Sequence, residues 1–463
     1  MLDYQRFGIN PSDLTPQFQG AAPRVQIIDR ICGAGKTSTM IAGLNPLRQY
    51  LIVTPLLDDV QEIINRADVP LVQPEARLDL LNPDDPNDIS HTKRGHLREL
   101  LMDSRSVVCT HALYSDLAYV AREGLLTGYD ICIDEVPKTS ELLSSGSKRT
   151  QTDRVNGLVW RNQYLRDGYA TIRENGQVAP TEKWKNDVLR GENTLSQTLY
   201  NHAEAGCLWA CGETVLVWEL PVSLLSSGRS VTVMTYRFPG SLLQAFLDKH
   251  GIEYDAERTP QHQAEEEQLR AKARELITLK PIPGLEGMQF TVNEIDPSKL
   301  TPGKQHRIVN ALKRLRVTDL KNATAGSILV TSLKRLWFRD GKSEADLPTD
   351  KRPQQGPICK HGGKTTGLFN LCRWSANVTR GTNAFRDCQT VIYLYDKHLN
   401  PGVAKTLGVP VQGAFNDLYA VSEMVQFVYR SAIRDGRPIT LYAPSDRMRR
   451  LFQKWLHGEL DQA

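Results

Sequence analysis

The run Gly33-Ala34-Gly35-Lys36-Thr37-Ser38 has the residue types that hold a phosphate chain. Glycines let successive backbone N–H groups turn inward onto anionic oxygens, and a following helix presents its positive end to the same anion. In such a loop the lysine, here Lys36, reaches the β- and γ-phosphates, and the Thr37 hydroxyl ligates Mg2+. The strict pattern G-x-x-x-x-G-K-[ST] asks for glycine at position 30, where this chain has Arg30. Farther on, Tyr129-Asp130-Ile131-Cys132-Ile133-Asp134-Glu135-Val136-Pro137 ends an apolar run in two carboxylates. A phosphate-hydrolysing site needs one acid to hold Mg2+ and one to polarise the attacking water. Asp134, acting through water, and Glu135, as general base, suit those two roles.

These residues need a scaffold that brings strand ends together. Short β-branched runs recur at Val25–Asp29, Tyr50–Thr54, Ser106–Thr110, Tyr129–Asp134 and Ser230–Thr235. They continue at Glu275–Leu279, Ser327–Ser332, Thr390–Tyr395 and Pro438–Ala443. Apolar strands separated by helix-length segments predict parallel βαβ layers, with ligands at the carboxyl ends of the strands. Residues 138–212 break the rhythm: they are polar, carry Trp160, Trp184 and Trp209, and read as a helical insertion without a convincing strand. The charged run AEEEQLRAKAREL and several prolines put a junction near residue 250, with a linker over about 250–305. The tail from Pro444 to Leu456 reads as a capped amphipathic helix that packs on the second half, with nucleic-acid stacking by Trp455 as the alternative.

The chain has 463 residues, 40% hydrophobic and 24% charged, a globular balance with room for more than one core. No apolar stretch is long enough to span a bilayer, so no membrane partner is expected. The first twenty residues have neither a basic nor an apolar segment of a secretory leader, and eight scattered cysteines suit a reducing cytoplasm. Cys207-x-x-x-Cys211 with Cys359-x-His361 is too loosely spaced to be read as a zinc site. Net charge is only +4, but basic residues cluster at 304–335 (Lys304, Arg307, Lys313, Arg314, Arg316, Lys321, Lys334, Arg335) and at 430–454. Each cluster reads either as a solvated face or as a phosphate-binding surface.

Asp134-Glu135-Val136-Pro137 resembles the D-E-x-x box of superfamily-2 (DEAD/DEAH-like) helicases, and Gly33–Thr37 resembles their motif I. Further segments resemble the family's motifs in its order. They are Leu51–Pro55 (Ia), Val107–Leu113 (the next nucleic-acid-contacting motif), Val231–Tyr236 (III), Gly381–Phe385 (V) and Gln426–Gly436 (VI). Together they span about residues 25–443. The resemblance implies two tandem RecA-like parallel-sheet lobes, residues 1–250 and 251–463, with the helical insertion in the first. It implies ATP and Mg2+ bound through Gly33, Ala34, Gly35, Lys36, Thr37 and Ser38, with Thr37 and Asp134 on the metal. From the second lobe, Gln426 would sense the γ-phosphate or attacking water. Arg430, and with it Arg434, would stabilise transition-state charge, a role worth ~10³–10⁵ in rate. Arg434 falls at +8 from the glutamine where the family has +7; on a continuing helix, +4 and +8 still share a face.

The implied track is a single nucleic-acid strand, DNA rather than RNA, held without strong sequence preference. Thr54, Thr110, His111 and Thr382 would contact it by resemblance, with Lys334 and Arg335 by charge and position. The resemblance departs at Arg30, at Pro137 (where the box usually ends in Asp or His) and at Tyr236 (where a small residue is usual). The expected protein is a monomeric, cytoplasmic ATP-driven helicase or translocase, in the host cytoplasm if phage-encoded, as the resemblance of its compact layout to bacteriophage-encoded helicases implies. An RNA-remodelling ATPase, a P-loop kinase or nucleotide switch, and a non-unwinding scaffold remain open alternatives.

Overall fold

The computed structural model describes residues 25–81, 89–145, 155–190, 194–256, 258–338, 356, 358, 369, 372–377 and 384–460. β-branched residues at successive positions favour strands buried on both faces, and two parallel sheets result. The first has the spatial order Tyr254–Asp255, Val25–Asp29, Ser230–Thr235, Tyr129–Asp134, Gln49–Thr54, Val107–Thr110. Val25 pairs with Val231, Ile131 with Val231, Leu51 with Ile131 and Leu51 with Val107, so the strands share one direction and their carboxyl ends share one edge. Leu51, Ile52, Val53, Ile131 and Ile133 are completely buried.

The second sheet, also all parallel, has the order Ile277–Lys280, Ile439–Tyr442, Thr390–Tyr393, Ile328–Thr331, Arg373–Trp374. Both sheets are RecA-like in being parallel, helix-covered layers arranged in tandem. The run expected as a strand from Glu275 begins instead at Ile277, because helix Pro260–Leu276 extends through it. Thr259 caps that helix by accepting from the His262 amide, and Pro260 sits in its first turn, where a missing N–H is harmless.

The insertion is not strand-free. Leu208–Cys211, Val215–Glu219 and Ser140–Leu142 form an antiparallel sheet, and Ala170–Ile172 pairs with Val178–Pro180. These strands are three to five residues long, too short for a clear alternation. The second hairpin turns at Asn175-Gly176, where Gly176 takes φ +88°, a conformation that suits glycine. Trp160 and Trp184 are completely buried and pack with Tyr164 and Tyr200, so these tryptophans are the insertion's own core. Trp209 is buried on a strand under the Lys249 ammonium, 3.6 Å from its ring centroid.

The two lobes meet along two flanks. On one, Leu399, Val403, Ala404 and Leu407, around helix Pro401–Leu407 of the second lobe, join the core of the first lobe and its insertion. The Cys211 thiol lies 3.1 Å from the Thr406 hydroxyl there. On the other, Ile31 and Tyr236 of the first lobe enter the core formed by the second lobe's sheet and the helix Asp446–Leu456. Ser445 caps this last helix, accepting from the Met448 amide. Trp455 is completely buried and donates its indole N–H to the Tyr236 hydroxyl, which removes it from any role in stacking on nucleic acid. Among the described residues, no helix is long and apolar enough to cross a membrane.

Candidate functional site

The first sheet delivers Val25–Asp29 to a tight turn. Asp29 is buried because its carboxylate accepts from the Arg237 and Phe238 amides, which fixes the strand's end. Gly33 and Gly35 follow at φ +90° and +73°, and a Cβ on either would meet no atom within 4 Å. The glycines are therefore there for backbone conformation, and an open cradle remains above them. Helix Lys36–Ala42 begins at Gly35 with no side chain capping its first amides. Lys36 is buried and donates to the Arg30 carbonyl at 2.9 Å. Ser38 accepts from Arg66 at 2.7 Å. Ala34 departs from the expected phosphate-binding set: its amide donates to the Ile31 carbonyl and its side chain packs against the second lobe's core. Gly33, Gly35, Lys36, Thr37 and Ser38 line the cavity; Ala34 does not.

Thr37 Oγ1 donates to Asp134 Oδ2 at 2.7 Å, so the two expected metal-holding groups lie side by side. Burial, reinforced by the Glu135 charge, raises the Asp134 carboxyl to about 6, against the Thr37 hydrogen bond and the Lys36 charge. Glu135 has φ +62°, in the left-handed region that a non-glycine residue seldom adopts. Its amide donates to the Met234 carbonyl, and its Oε2 is buried without a hydrogen-bond partner among the described residues. A hydroxyl–carboxylate pair, an unpartnered carboxylate oxygen and an open glycine cradle fit a triphosphate with Mg2+.

The opposite wall comes from the second lobe. Helix Ala414–Val428 carries Gln426, whose amide nitrogen donates to the Ser422 hydroxyl. This helix does not continue through Arg434, so the two arginines do not share a helix face. Ser431 is extended (φ −83°, ψ −170°), and its hydroxyl and amide both bond the Val428 carbonyl, closing the helix end. Arg430 leaves just after the helix, and Arg434 stands on the short turn Ala432–Asp435. Both still line one cavity of about 330 Å³ with Lys36, Thr37, Asp134, Glu135 and Gln426. Arg430 is buried, bonds the Ala376 and Asn377 carbonyls at 3.0 and 3.1 Å, and lies over the Phe427 ring. Arg434 is exposed, and its charge acts to lower the pKa of Asp134.

The expected nucleic-acid contacts are scattered. Thr54 is completely buried, so no strand can touch its side chain. The Thr110 hydroxyl caps helix His111–Ser115, accepting from the Leu113 amide at 3.4 Å. His111 Nε2 lies 2.9 Å from the Asp134 carbonyl oxygen, which can only accept, so that nitrogen carries the proton. His111 also lines a second cavity of about 830 Å³ between the first lobe, the insertion and helix Ala414–Val428, and Gln426 borders both cavities. Lys334 and Arg335 follow the second-lobe strand Ile328–Thr331, with Arg335 3.6 Å from Asp296. Thr382, like Cys359 and His361, lies outside the described residues. Several basic residues of the two clusters hold loops: Arg307 donates to the Gly284 and Glu286 carbonyls, and Arg447 binds Asp396 and Asp417.

Five side chains in the first cavity belong to no segment singled out in the sequence: Asp59, Glu62, Ile63, Arg66 and Arg386. Asp59 opens helix Leu57–Arg66 at the carboxyl end of strand Gln49–Thr54, a position such sheets use for ligands. Burial, then the nearby Asp134 charge, pushes its carboxyl up to about 7. Arg386 directly follows the segment read as motif V and is anchored by Asp435.

Residues 291–456 match the family described as the YonV C-terminal Rossmann-like domain. The SPbeta prophage-derived uncharacterized protein YonV of Bacillus subtilis (strain 168) is 26% identical over 463 residues, covering 94% of this chain and 99% of that protein. Among solved structures, an XPD helicase is similar in fold at TM-score 0.46 and 12% identity, over 95% of each chain. S. cerevisiae Dbp5 bound to RNA and ADP BeF3 is similar at TM-score 0.41 and 11% identity, over 96% of this chain and 85% of that one.

Proposed function

We propose that this chain is an ATP-dependent nucleic-acid helicase or translocase that hydrolyses ATP between two lobes, residues 1–250 and 251–463, and moves on single-stranded DNA. One observation carries the reading: Lys36, Thr37, Asp134 and Glu135 from one lobe and Gln426, Arg430 and Arg434 from the other line the same cavity. A cavity walled by both lobes can make contacts to a triphosphate that differ between closed and open arrangements, which is what a motor requires.

In this reading Gly33, Gly35 and the start of helix Lys36–Ala42 receive the phosphates, and Lys36 leaves the Arg30 carbonyl to meet them. Thr37 and Asp134 would hold Mg2+, which would supply charge neutralisation to the triphosphate. Glu135 accepts a proton from the attacking water, and its unpartnered Oε2 suits that task. Arg434 is the better placed of the two arginines to stabilise the transferring phosphoryl group. Arg430 is buried against two carbonyls and supports the segment that precedes residues 378–383. Gln426 borders both cavities and His111 the larger one, which supports a reading in which the nucleic-acid strand runs along that second cavity, with Lys334 and Arg335 on the second lobe. The prophage-derived relative supports a phage origin; action as a monomer in a host cytoplasm belongs to the same reading.

The test is ATP hydrolysis by purified protein alone and with single-stranded DNA, duplex DNA or RNA. Strong stimulation by single-stranded DNA is expected. Stimulation by RNA alone would move the reading to an RNA-remodelling ATPase, and turnover indifferent to every polymer would remove the motor.

A further inference from the structure

Arg30 stands where the strict phosphate-loop pattern has glycine, and it is tied to the other lobe. Its guanidinium makes a two-pronged ion pair with Glu265, with Nη2 at 2.9 Å from both carboxylate oxygens and Nε at 3.1 Å from Oε2. Both side chains are largely shielded, at 17% and 32% exposure, so solvent weakens the pair less than at an open surface. The Arg30 backbone is held as well. Its amide donates to the Thr235 carbonyl at 3.0 Å, and its carbonyl receives Lys36 Nζ at 2.9 Å.

Glu265 lies on helix Pro260–Leu276, which runs directly into the second-lobe strand Ile277–Lys280. The helix is fastened to that lobe: Ala273 is in its core, and Arg274 donates to the Leu456 carbonyl at 2.6 Å. The next residue, Glu266, is buried and accepts from the Tyr236 hydroxyl at 3.0 Å, with Arg258 also paired to it. Tyr236 follows strand Ser230–Thr235 and receives the Trp455 indole. Consecutive glutamates about 100° apart around one helix thus grip two adjacent strand ends of the first sheet, one through Arg30 and one through Tyr236.

We propose that Arg30 and Glu265 are positioning residues for the phosphate loop. Their ion pair lets the second lobe set the carbonyl that receives Lys36, and so sets how readily the loop accepts a triphosphate. The proposal rests on the reading of Gly33–Ser38 as a triphosphate site. A glycine at position 30 would leave the loop's entry without this anchor. With arginine there, relative movement of the lobes reaches Lys36 through one side chain and one backbone carbonyl.

The experiment is a double-mutant cycle on the full chain with Arg30→Met, Glu265→Gln and both together, and with Arg30→Lys as the conservative variant. ATP dissociation constants, KM, kcat and thermal midpoints are measured on each. Glu265→Gln and Arg30→Met are each expected to shift KM and the dissociation constant together by about three- to tenfold, leaving kcat within about twofold. The double variant should be no worse than either single one, and Arg30→Lys should fall between wild type and Arg30→Met. A lower thermal midpoint with unmoved KM and affinity would mark the pair as structural only and overturn the proposal, as would fully additive effects. If wild-type protein bound no triphosphate, the loop reading would fail and take the proposal with it. Normal wild-type turnover with an unaffected Glu265→Gln would overturn the proposal alone.

Discussion

The two walls of the cavity between the lobes are built differently. On the first-lobe wall the functional groups are already engaged with one another: Thr37 with Asp134, Lys36 with the Arg30 carbonyl, Glu135 held in a left-handed conformation at a strand end. On the second-lobe wall the groups come from a helix end and a short turn, with one arginine buried and the other exposed. A wall fixed by sheet ends suits binding, since its geometry is set before the ligand arrives. A wall made of a helix end suits a contact that forms only when the lobes close.

Arg434→Ala breaks this contrast most severely if it is right: kcat should fall by ~10³-fold or more, with ATP affinity nearly unchanged. Glu135→Gln should lower kcat by ~10²–10³-fold and also spare affinity, in single-turnover assays with radiolabelled ATP. Lys36→Ala should instead weaken ATP binding, by ~10²-fold in equilibrium titration, and abolish measurable turnover. If Arg434→Ala weakened binding as much as Lys36→Ala did, the division between a binding wall and a turnover wall would be wrong.

Arg430→Ala sharpens the same contrast by separating folding from chemistry. It leaves the Ala376 and Asn377 carbonyls without their donor, a loss of about 1–3 kcal/mol, read as a drop of several degrees in thermal midpoint alongside slower turnover. The smallest expected effect concerns Asp59 in the first wall. Its carboxyl is raised by burial to about 7, above its unfolded value, so the folded chain holds the extra proton between about pH 4 and 7. That contribution to stability is present at the acidic end and is lost as pH rises through 7. Asp59→Asn should flatten this part of the profile and raise the midpoint slightly at pH 8, in thermal melts across that range.

Much of the first wall is legible in the sequence because it depends on local chemistry. The loop glycines, the lysine–threonine pair and the acids ending Tyr129–Asp134 are contiguous residues, and the strands around them are uninterrupted apolar runs. The second wall is only half legible. Gln426 and its arginines are visible as a pattern, but where helix Ala414–Val428 stops depends on Ser431 bonding Val428, which spacing does not reveal. The insertion's strands are hard to read because short antiparallel strands leave little periodicity, although Asn175-Gly176 is a turn signal. Thr54 illustrates the opposite error, a residue type suited to nucleic-acid contact that the fold places in its interior, whereas Trp455 packs on the second lobe as its amphipathic helix implied. Arg30 and Glu265 lie 235 residues apart, and only the folded chain brings them together.

The packing of Leu399, Val403, Ala404 and Leu407 into the first-lobe core bears on how far this molecule can travel. A wide gape would strip those four side chains from their neighbours, at about 1.5–3 kcal/mol for each of the larger ones, and would uncover Tyr236 and Trp455 on the other flank. Pinned along both sides, the halves resist the broad swing of a loosely hinged clamp and favour a short throw.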